Sequence, residues 1–577
     1  MSKYLFLFTI SPVQTFIAQA RKAKDLYNGS QLLSQLIETA FEEIEPIFPQ
    51  KTDKKEKSYP NRFIAIVEKE NDSEMKKFGD ELKKKVQMKF EELALFAVNE
   101  TKVDVAKLPV NFYEQIKKHL SIQWVAMPYD ESNYKQQFKE IESQLGAIKN
   151  VREFEQLEET GRKCSICGER NALFYNGNKH TYYQNDAIKI YNLQMQSGEG
   201  LCAVCFTKRF FQEKEFPSTA EIALKESIFQ LMKNEKLNSK ILNYKKYLGN
   251  DFDYQLFYEH NLREEYFKRQ NIDKSKLVSA KELLKDIYQG KPLEIKLNGY
   301  FAVVMFDGDS MGKWLSGANI IEDSNLMDFH KELTKSLGEF AEKAYSIVNG
   351  EKGKVVYAGG EDFFAFVNLN HLFDVLKELR ETFDVAVNQK ITNKKNGANL
   401  TFSAGVVIAY YKMPLSEVLN WARKMEKEAK NIDDDKNGLA IAVVKHSGEI
   451  NQTRFKWSFD GTATGNVKVL QNLIEDLSKD VLSNKFIKNL EDEFRRFPNN
   501  KINSEVLATE MQRLIRNSFI DKSLNKDAKT TKAKETTVEL MKFFSEKDKD
   551  RDNFFSLLGI SDFIARQLNG KFKGGIK

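Results

Sequence analysis

The chain has 577 residues, with 89 lysines and arginines against 83 aspartates and glutamates and a net charge of +6. At 41% hydrophobic and 12% aromatic it is rich enough to bury cores and too long for one, so roughly three to five units are expected. The near balance of charge allows nucleic-acid contact through a local basic face without requiring it. No apolar run reaches the ~18 residues of a membrane span, so a cytoplasmic protein with no membrane partner is expected.

In chain order, Tyr4-Leu-Phe-Leu-Phe8 is too short for a signal-peptide core and reads as a strand from Tyr4 to Ile10. A helical stretch from Val13 to about Ile47 follows, then a strand from Arg62 to Val67, a charged helix, and a strand from Ser121 to Met127. All four cysteines fall in two Cys-x-x-Cys pairs, Cys164 with Cys167 and Cys202 with Cys205. A redox motif needs one pair, and a cytosolic compartment disfavours disulfides. Two pairs suit tetrahedral thiolate coordination of zinc, and with no ligand position left open the site is expected to be structural. His180, between the pairs, is expected at the surface. Residues 211–295 read as helical and charged, with apolar positions from Ile222 to Leu231 and Leu283 to Ile287.

The densest chemistry comes next. A strand, Phe301-Ala-Val-Val-Met-Phe306, runs into Asp307-Gly308-Asp309, and a second, Lys354-Val-Val-Tyr357, turns through Ala358-Gly359-Gly360-Glu361-Asp362 into Phe363 to Val367. Paired side by side, they bring the first strand's terminal carboxylates to the hairpin tip. That arrangement suits divalent metal and phosphate, because magnesium takes a few hard oxygen ligands and keeps several waters. Gly359 and Gly360 can supply the positive φ of a tight turn and leave the backbone open to a triphosphate. Either motif alone is ordinary turn chemistry; two at strand ends with a helix between them point to a site. Leu326, Phe329, Leu333, Leu337, Phe340, Ala344 and Ile347 mark that helix, which stops at Gly350. A helix from His371 to about Gln389, a strand from Leu400 to Ile408, a helix from Leu415 to Lys430 and a strand from Gly438 to Val444 complete a βαββαβ order with an added αβ, the ferredoxin-like arrangement.

At Asp307-Gly-Asp-Ser-Met-Gly312 and Gly359-Gly-Glu-Asp362 the chain resembles the palm domain of the large subunit of type III CRISPR effector complexes, the Cas10 family, itself similar to nucleotide cyclases. Ile10-Ser-Pro-Val-Gln-Thr-Phe-Ile17, Gly29-Ser-Gln-Leu-Leu-Ser34, Pro60-Asn-Arg-Phe63, Ser403-Ala-Gly405, Pro414-Leu-Ser-Glu-Val-Leu419 and Ala429-Lys430 resemble its III-B branch, Cmr2. The resemblance implies two cyclase-like palms facing one another around two ATP molecules, one active and one degenerate, with a zinc site between the domains. The first domain echoes the palm but carries Thr9-Ile-Ser11 in place of Asp307-Gly-Asp309, so it lacks the carboxylates. The expected fold is therefore α/β (α+β multidomain): a degenerate cyclase-like domain over 1–150, a zinc-binding helical insert over 151–294, a catalytic palm over 295–450 and a C-terminal helical bundle over 451–577.

Asp307 and Asp362 are the leading metal ligands, with Glu361 and Asp309 second. The family's usual hairpin is Gly-Gly-Asp-Asp, and Glu361 reaches one carbon further. By resemblance, Ser30, Asn61, Arg62, Gly308, Ser310, Gly359, Gly360, Ser403 and Gly405 line the nucleotide site. Ser30 also reads as a helix-local hydroxyl and Arg62 as an interface ion pair. Lys430, and more weakly Lys313, are candidates to counter phosphate charge. The implied reaction is metal-dependent transfer from ATP, with magnesium or manganese, releasing pyrophosphate. The acceptor is a second ATP, giving cyclic oligoadenylate, or another molecule such as S-adenosylmethionine; a non-catalytic scaffold is the third reading. Implied partners are guide CRISPR RNA, target RNA and the other subunits of the complex, to which the C-terminal bundle docks. With six histidines and no His-Asp dipeptide, no histidine-aspartate nuclease activity is expected. Residues Leu524 to Thr537 read as a mobile basic loop, a solvated linker rather than an RNA contact.

Overall fold

The structure is a computed structural model that describes residues 1–49, 51, 58–150, 159–177, 186–190, 194–212, 215–292, 295–322, 325–495, 503–520, 524–544 and 551–568. His180 lies outside them. The first domain has strands β1 (Ser2–Ser11), β2 (Pro46–Phe48), β3 (Arg62–Lys69) and β4 (Ser121–Pro128) in the antiparallel order β2-β3-β1-β4, which is ferredoxin-like. Its helices are α1 (Gln14–Ala18), α2 (Ala23–Phe41), α3 (Asp72–Glu100), α4 (Val110–Lys117) and α5 (Tyr134–Asn150). The single helix expected from Val13 to Ile47 is two. The backbone leaves the helical region at Gln19, and Asp25 restarts it by accepting the Arg21 and Lys22 N–H groups at 3.0 Å each. Helix α2 then ends at Phe41, and Pro46–Phe48 is drawn into the sheet against β3.

Strand β1 is buried on both faces, which explains its unbroken apolar run. Phe6 and Phe8 face the core under α2 and α3. On the other face Leu5 and Leu7 join Ile64, Val125 and, from α5, Phe138, Ile141 and Leu145 in a core continuous with the second sheet's helices. Helix α5 is thus the layer through which the two sheets meet.

Three short strands, β5 (Phe174–Tyr175), β6 (Ile188–Lys189) and β7 (Gly200–Leu201), and helix α6 (Ala203–Phe210) carry the cysteines. Helix α6 is wholly buried against α2. Its Arg209, 0% exposed, donates to Asp25 at 2.5 and 2.8 Å and to Glu199 at 3.3 Å, and Lys208 donates to the Phe16 carbonyl at 2.6 Å. Burial alone would raise the Asp25 pKa, but the Arg209 guanidinium beside it holds it down at about 2. Helices α7 (Thr219–Met232), α8 (Glu235–Leu248), α9 (Glu264–Gln270) and α10 (Leu277–Gln289) follow, and α7 is tied to the second sheet by Asn368 Nδ2 donating to the Ile222 carbonyl at 2.7 Å.

The second sheet contains β8 (Tyr300–Gly308), β9 (Gly353–Ala358), β10 (Phe363–Asn368), β11 (Phe402–Tyr410), β12 (Gly438–Val444) and β13 (Ile450–Lys456), ordered β13-β12-β11-β8-β10-β9. Its first four strands, in the order β9-β10-β8-β11, repeat the order of the first domain; β12 adds in parallel and β13 is a further strand beyond those expected. With it come α11 (Met311–Leu315), α12 (Leu326–Val348), α13 (Leu372–Phe383) and α14 (Leu415–Lys430). The C-terminal helices are α15 (Gly465–Ser478), α16 (Lys485–Phe494), α17 (Ser504–Ser518), α18 (Lys526–Met541) and α19 (Arg551–Leu568). The expected loop from Leu524 to Thr537 is therefore largely helix α18. Asn525 caps it by accepting the Ala528 N–H at 2.8 Å, Lys532 pairs with Asp476 at 2.9 Å, and Ala533, Thr537 and Leu540 are buried. Few apolar residues suffice because the helix covers a neighbour on one narrow stripe.

Removing one partner of a fully buried ion pair costs about 3–5 kcal/mol. Asp25→Ala is expected to lower unfolding stability by that order in urea titration of the full chain. A depressed carboxyl pKa stabilises above its unfolded value of about 3.9 and loses that contribution as pH falls through the folded one. The wild type should therefore lose stability between pH ~4 and about 2 in a component that the variant lacks.

Candidate active site on the second sheet

Strand β8 pairs with β10 so that Phe306 lies opposite Phe363, which sets Asp307 and Asp362 side by side one residue beyond that rung. On the other flank Ser403 of β11 pairs with Asp307. The hairpin closes with the Gly359 N–H donating to the Asp362 carbonyl at 3.0 Å. Of its two glycines only Gly360 takes a positive φ, +104°. Gly359 is required for another reason: a Cβ there would lie 1.8 Å from the Tyr357 hydroxyl. A Cβ on Gly308 would meet Glu361 Cβ at 2.9 Å, so strand and hairpin touch directly.

The Asp307 charge acts on Asp362 across the end of the rung between Phe306 and Phe363. Asp362 is open to the cleft at its tip, yet the surrounding protein strips water from it, and Asp307, Glu361 and Glu426 add like charge, so its pKa stands well above the carboxylate range. Glu361 is raised too, by desolvation and then by Asp307, with Arg62 acting the other way. Lys430 makes a short ion pair with Asp307 and a second with Glu426 Oε1 at 3.0 Å, and this company raises its own pKa although desolvation opposes it. The site is thus a knot of mutually repelling carboxylates held against one ammonium, an arrangement suited to divalent cations and a polyphosphate.

Several expected residues stand elsewhere. Asp309, 4% exposed, is turned into the protein: it accepts Thr401 Oγ1 and Ser403 Oγ at 2.8 Å each and the Asn437 N–H at 3.1 Å. It fixes β8 to β11 and β12 instead of joining the cluster. Ser403 is spent on that network, also accepting the Gly438 N–H at 3.1 Å. Gly405 permits close docking of α14, since a Cβ would sit 2.3 Å from the Glu426 nitrogen and 2.6 Å from the Ala422 carbonyl oxygen. Ser310 adopts φ +55° at the start of α11, and Lys313 is exposed on that helix. In the first domain, Asn61 donates to the Ile10 carbonyl at 3.0 Å, Ser30 is buried in α2 with no partner for its hydroxyl, and Arg62 pairs with Glu142 on α5 at 3.0 Å. Arg62 alone of the three is shown acting on the hairpin, through the Glu361 charge.

Sequence reasoning missed Glu426, Tyr357 and Glu142. The signal for Glu426 was present as its spacing of four from Lys430, which on an isolated helix reads as a surface pair.

The four cysteine sulfurs all lie within 4.8 Å of one another, and among the described residues no other group of three or more candidate ligands does. Cys167 and Cys202 sulfurs are 3.8 Å apart, and the Ile166 and Cys205 N–H groups donate to Cys164 and Cys202 at 3.4 Å each. Four sulfurs that close, three of them buried, form a pocket of the kind that holds a metal through sulfur. Gly405→Ala is expected to cost about 1–3 kcal/mol by forcing α14 off β11, read as a lowered Tm of the full chain.

The description "Cas10/Cmr2, second palm domain" matches residues 300–440, and "CRISPR-associated protein Cmr2, N-terminal" matches residues 5–49. The CRISPR system Cmr subunit Cmr2 of Pyrococcus furiosus is 26% identical over 569 residues, covering 78% of this chain and 63% of that protein. The chain thus spans less than two thirds of that relative's length. A type III-B Cmr-beta structure in the apo state superposes with a TM-score of 0.63 at 14% identity, covering 92% of this chain and 78% of the other. A Cmr-beta structure bound to cognate target RNA gives 0.65 at 15%, covering 91% and 79%.

Proposed function

We propose that the chain, similar to the Cas10/Cmr2 large subunits of type III-B systems, is one of them and is an RNA-activated, metal-dependent nucleotidyltransferase that uses ATP to make a nucleotide messenger, cyclic oligoadenylate. The observation that carries the reading is the strand register that sets Asp307 beside Asp362 at the end of the second sheet, with Lys430 paired to Asp307. Carboxylates so placed repel one another without a cation, which a subunit serving only as a scaffold has no use for. Magnesium or manganese held by Asp307 and Asp362 would neutralise a triphosphate and lower the pKa of an attacking hydroxyl.

The chain's own groups supply the rest. Lys430, released from Asp307 as that charge is taken up, is within reach of phosphate oxygens. Gly360, half-buried at the hairpin tip, leaves its backbone free of a side chain where the triphosphate would approach. Attack by the 3′-hydroxyl of a second ATP on the α-phosphorus forms the new P–O bond, breaks the α–β bridge and releases pyrophosphate. Asp309, through Thr401, Ser403 and Asn437, keeps the Asp307 turn from drifting. The four-cysteine pocket fits structural zinc. Guide RNA, target RNA and the remaining subunits are the partners this reading requires; the Cmr-beta neighbour is bound to cognate target RNA.

The test is to assemble the complex with guide and matching target RNA, magnesium or manganese and labelled ATP, with and without S-adenosylmethionine, and identify products by mass spectrometry. Adenylates from ATP alone are expected; a product needing the second substrate would reassign the acceptor, and no product under either condition would leave a scaffold. Asp307→Ala and Asp362→Ala should each lower product formation by at least ~100-fold while target-RNA binding holds. Lys430→Ala should cost on the order of tenfold or more. Chelation should remove one zinc per chain and lower Tm, because a structural metal contributes its binding energy to folding.

A further inference from the structure

Arg380 is a buried cation that the protein leaves incompletely paired. It stands on α13 at 4% exposed, and its Nη2 donates to Asn437 Oδ1 at 3.0 Å. Its Nε and Nη1 are buried without a hydrogen-bond partner. The two carboxylates whose charge reaches it, Asp384 and Asp309, are engaged elsewhere. Asp384 accepts Asn388 Nδ2 and Gln389 Nε2 at 2.8 Å each, and Asp309 accepts the Thr401, Ser403 and Asn437 donors described above, so neither supplies the orphaned groups. Beside the guanidinium is the Phe402 ring, with its centroid 5.4 Å away, itself packed edge-on against Phe383 and Trp457. A ring face attracts a cation without neutralising it. Burial accordingly pulls the Arg380 pKa below that of a free guanidinium, although an arginine in a protein keeps its charge. Buried polar atoms are nearly always paired, and a buried charge persists where something of opposite sign is bound to it.

We propose that Arg380 holds a small monovalent anion of the halide class, received by the guanidinium N–H groups that the protein leaves open. Charge sets the valence: one negative charge balances the guanidinium, whereas a phosphate dianion would add surplus charge within range of Asp309 and Asp384. The protein side of the site is built at some cost. Lys436 and Asn437 both take left-handed backbone, at φ +55° and +52°, a conformation that non-glycine residues hold only where their surroundings fix it. Asn437 is fixed by donating its N–H to Asp309 at 3.1 Å and accepting the Trp457 N–H on its carbonyl at 3.2 Å while its side chain takes Arg380. An anion on Arg380 thus fastens α13, through Asn437, to the turn that carries Asp307. The site is separate from the carboxylate cluster and does not rest on the nucleotidyltransferase reading.

The test pairs thermal unfolding of the full chain, in sodium gluconate, chloride and bromide at one ionic strength, with anomalous diffraction from wild-type crystals grown in bromide. Replacing gluconate by chloride or bromide is expected to raise the wild-type Tm by about 1–2 °C more than that of Arg380→Met, since only a folded state that binds the anion is stabilised by it. A bromide peak is expected beside the Arg380 guanidinium. The diffraction arm uses wild type alone, so it decides the assignment even where Arg380→Met does not fold. No bromide peak at Arg380 overturns the proposal and leaves its donors to water. A peak there with a halide increment equal in wild type and Arg380→Met is binding at crystal concentration only, and overturns the site as one occupied in solution.

Discussion

Like charges pressed together are the constraint that the second sheet exists to satisfy. The register that places Phe306 opposite Phe363 forces Asp307 against Asp362, and nothing in the local chain would choose that arrangement. It persists because each neighbouring position removes one way of escape. Gly308 lets the hairpin press on the strand, Gly405 lets α14 lie close enough for Lys430 to reach Asp307, and Asp309 is clamped by Thr401, Ser403 and Asn437 where the chain enters β11 and β12. Electrostatic strain of this kind is tolerated where the surrounding structure over-determines the geometry.

The first domain contributes without carboxylates of its own. Because Leu5 and Leu7 are buried on the face toward α5, and α5 shares a core with α12, the two sheets are positioned by packing instead of by a flexible tether. That places Arg62, braced by Glu142, where its charge acts on Glu361. His330 on α12 strengthens the joint, with its Nδ1 2.9 Å from the Tyr134 hydroxyl and its Nε2 2.9 Å from the Leu315 carbonyl. Burial lowers its pKa to about 4, so the ring bridges the joint as a neutral group.

The two strand-end motifs were legible in the sequence because each combined an unbroken apolar run with residues that only a turn tolerates, and α12 and α14 because their apolar positions repeat over several turns. The mixed α/β architecture, the two ferredoxin-like sheets and the cysteine cluster followed from the same signals. What was hidden depended on the third dimension. Ser403 and Gly405 sat in a motif that suggested a nucleotide pocket, yet one holds Asp309 and the other makes room for a helix; spacing cannot tell a residue that touches a ligand from one that seats the residue that does. Helix α18 was hidden for a different reason: its lysines and threonines look solvated until Ala533, Thr537 and Leu540 are seen to face a neighbour.

The fully buried Arg209 has a consequence for how the polypeptide is made. Its partner, Asp25, and the Phe16 carbonyl that anchors Lys208 are synthesised nearly two hundred residues earlier, and Phe174 and Phe206 complete the apolar layer beneath α2. While the nascent chain is shorter than about residue 211, the N-terminal sheet has an uncovered flank and an aspartate with no guanidinium beside it. Closure therefore waits on the cysteine-bearing segment. On a ribosome, the amino-terminal half is completed only once α6 has been made, and before the second sheet has been.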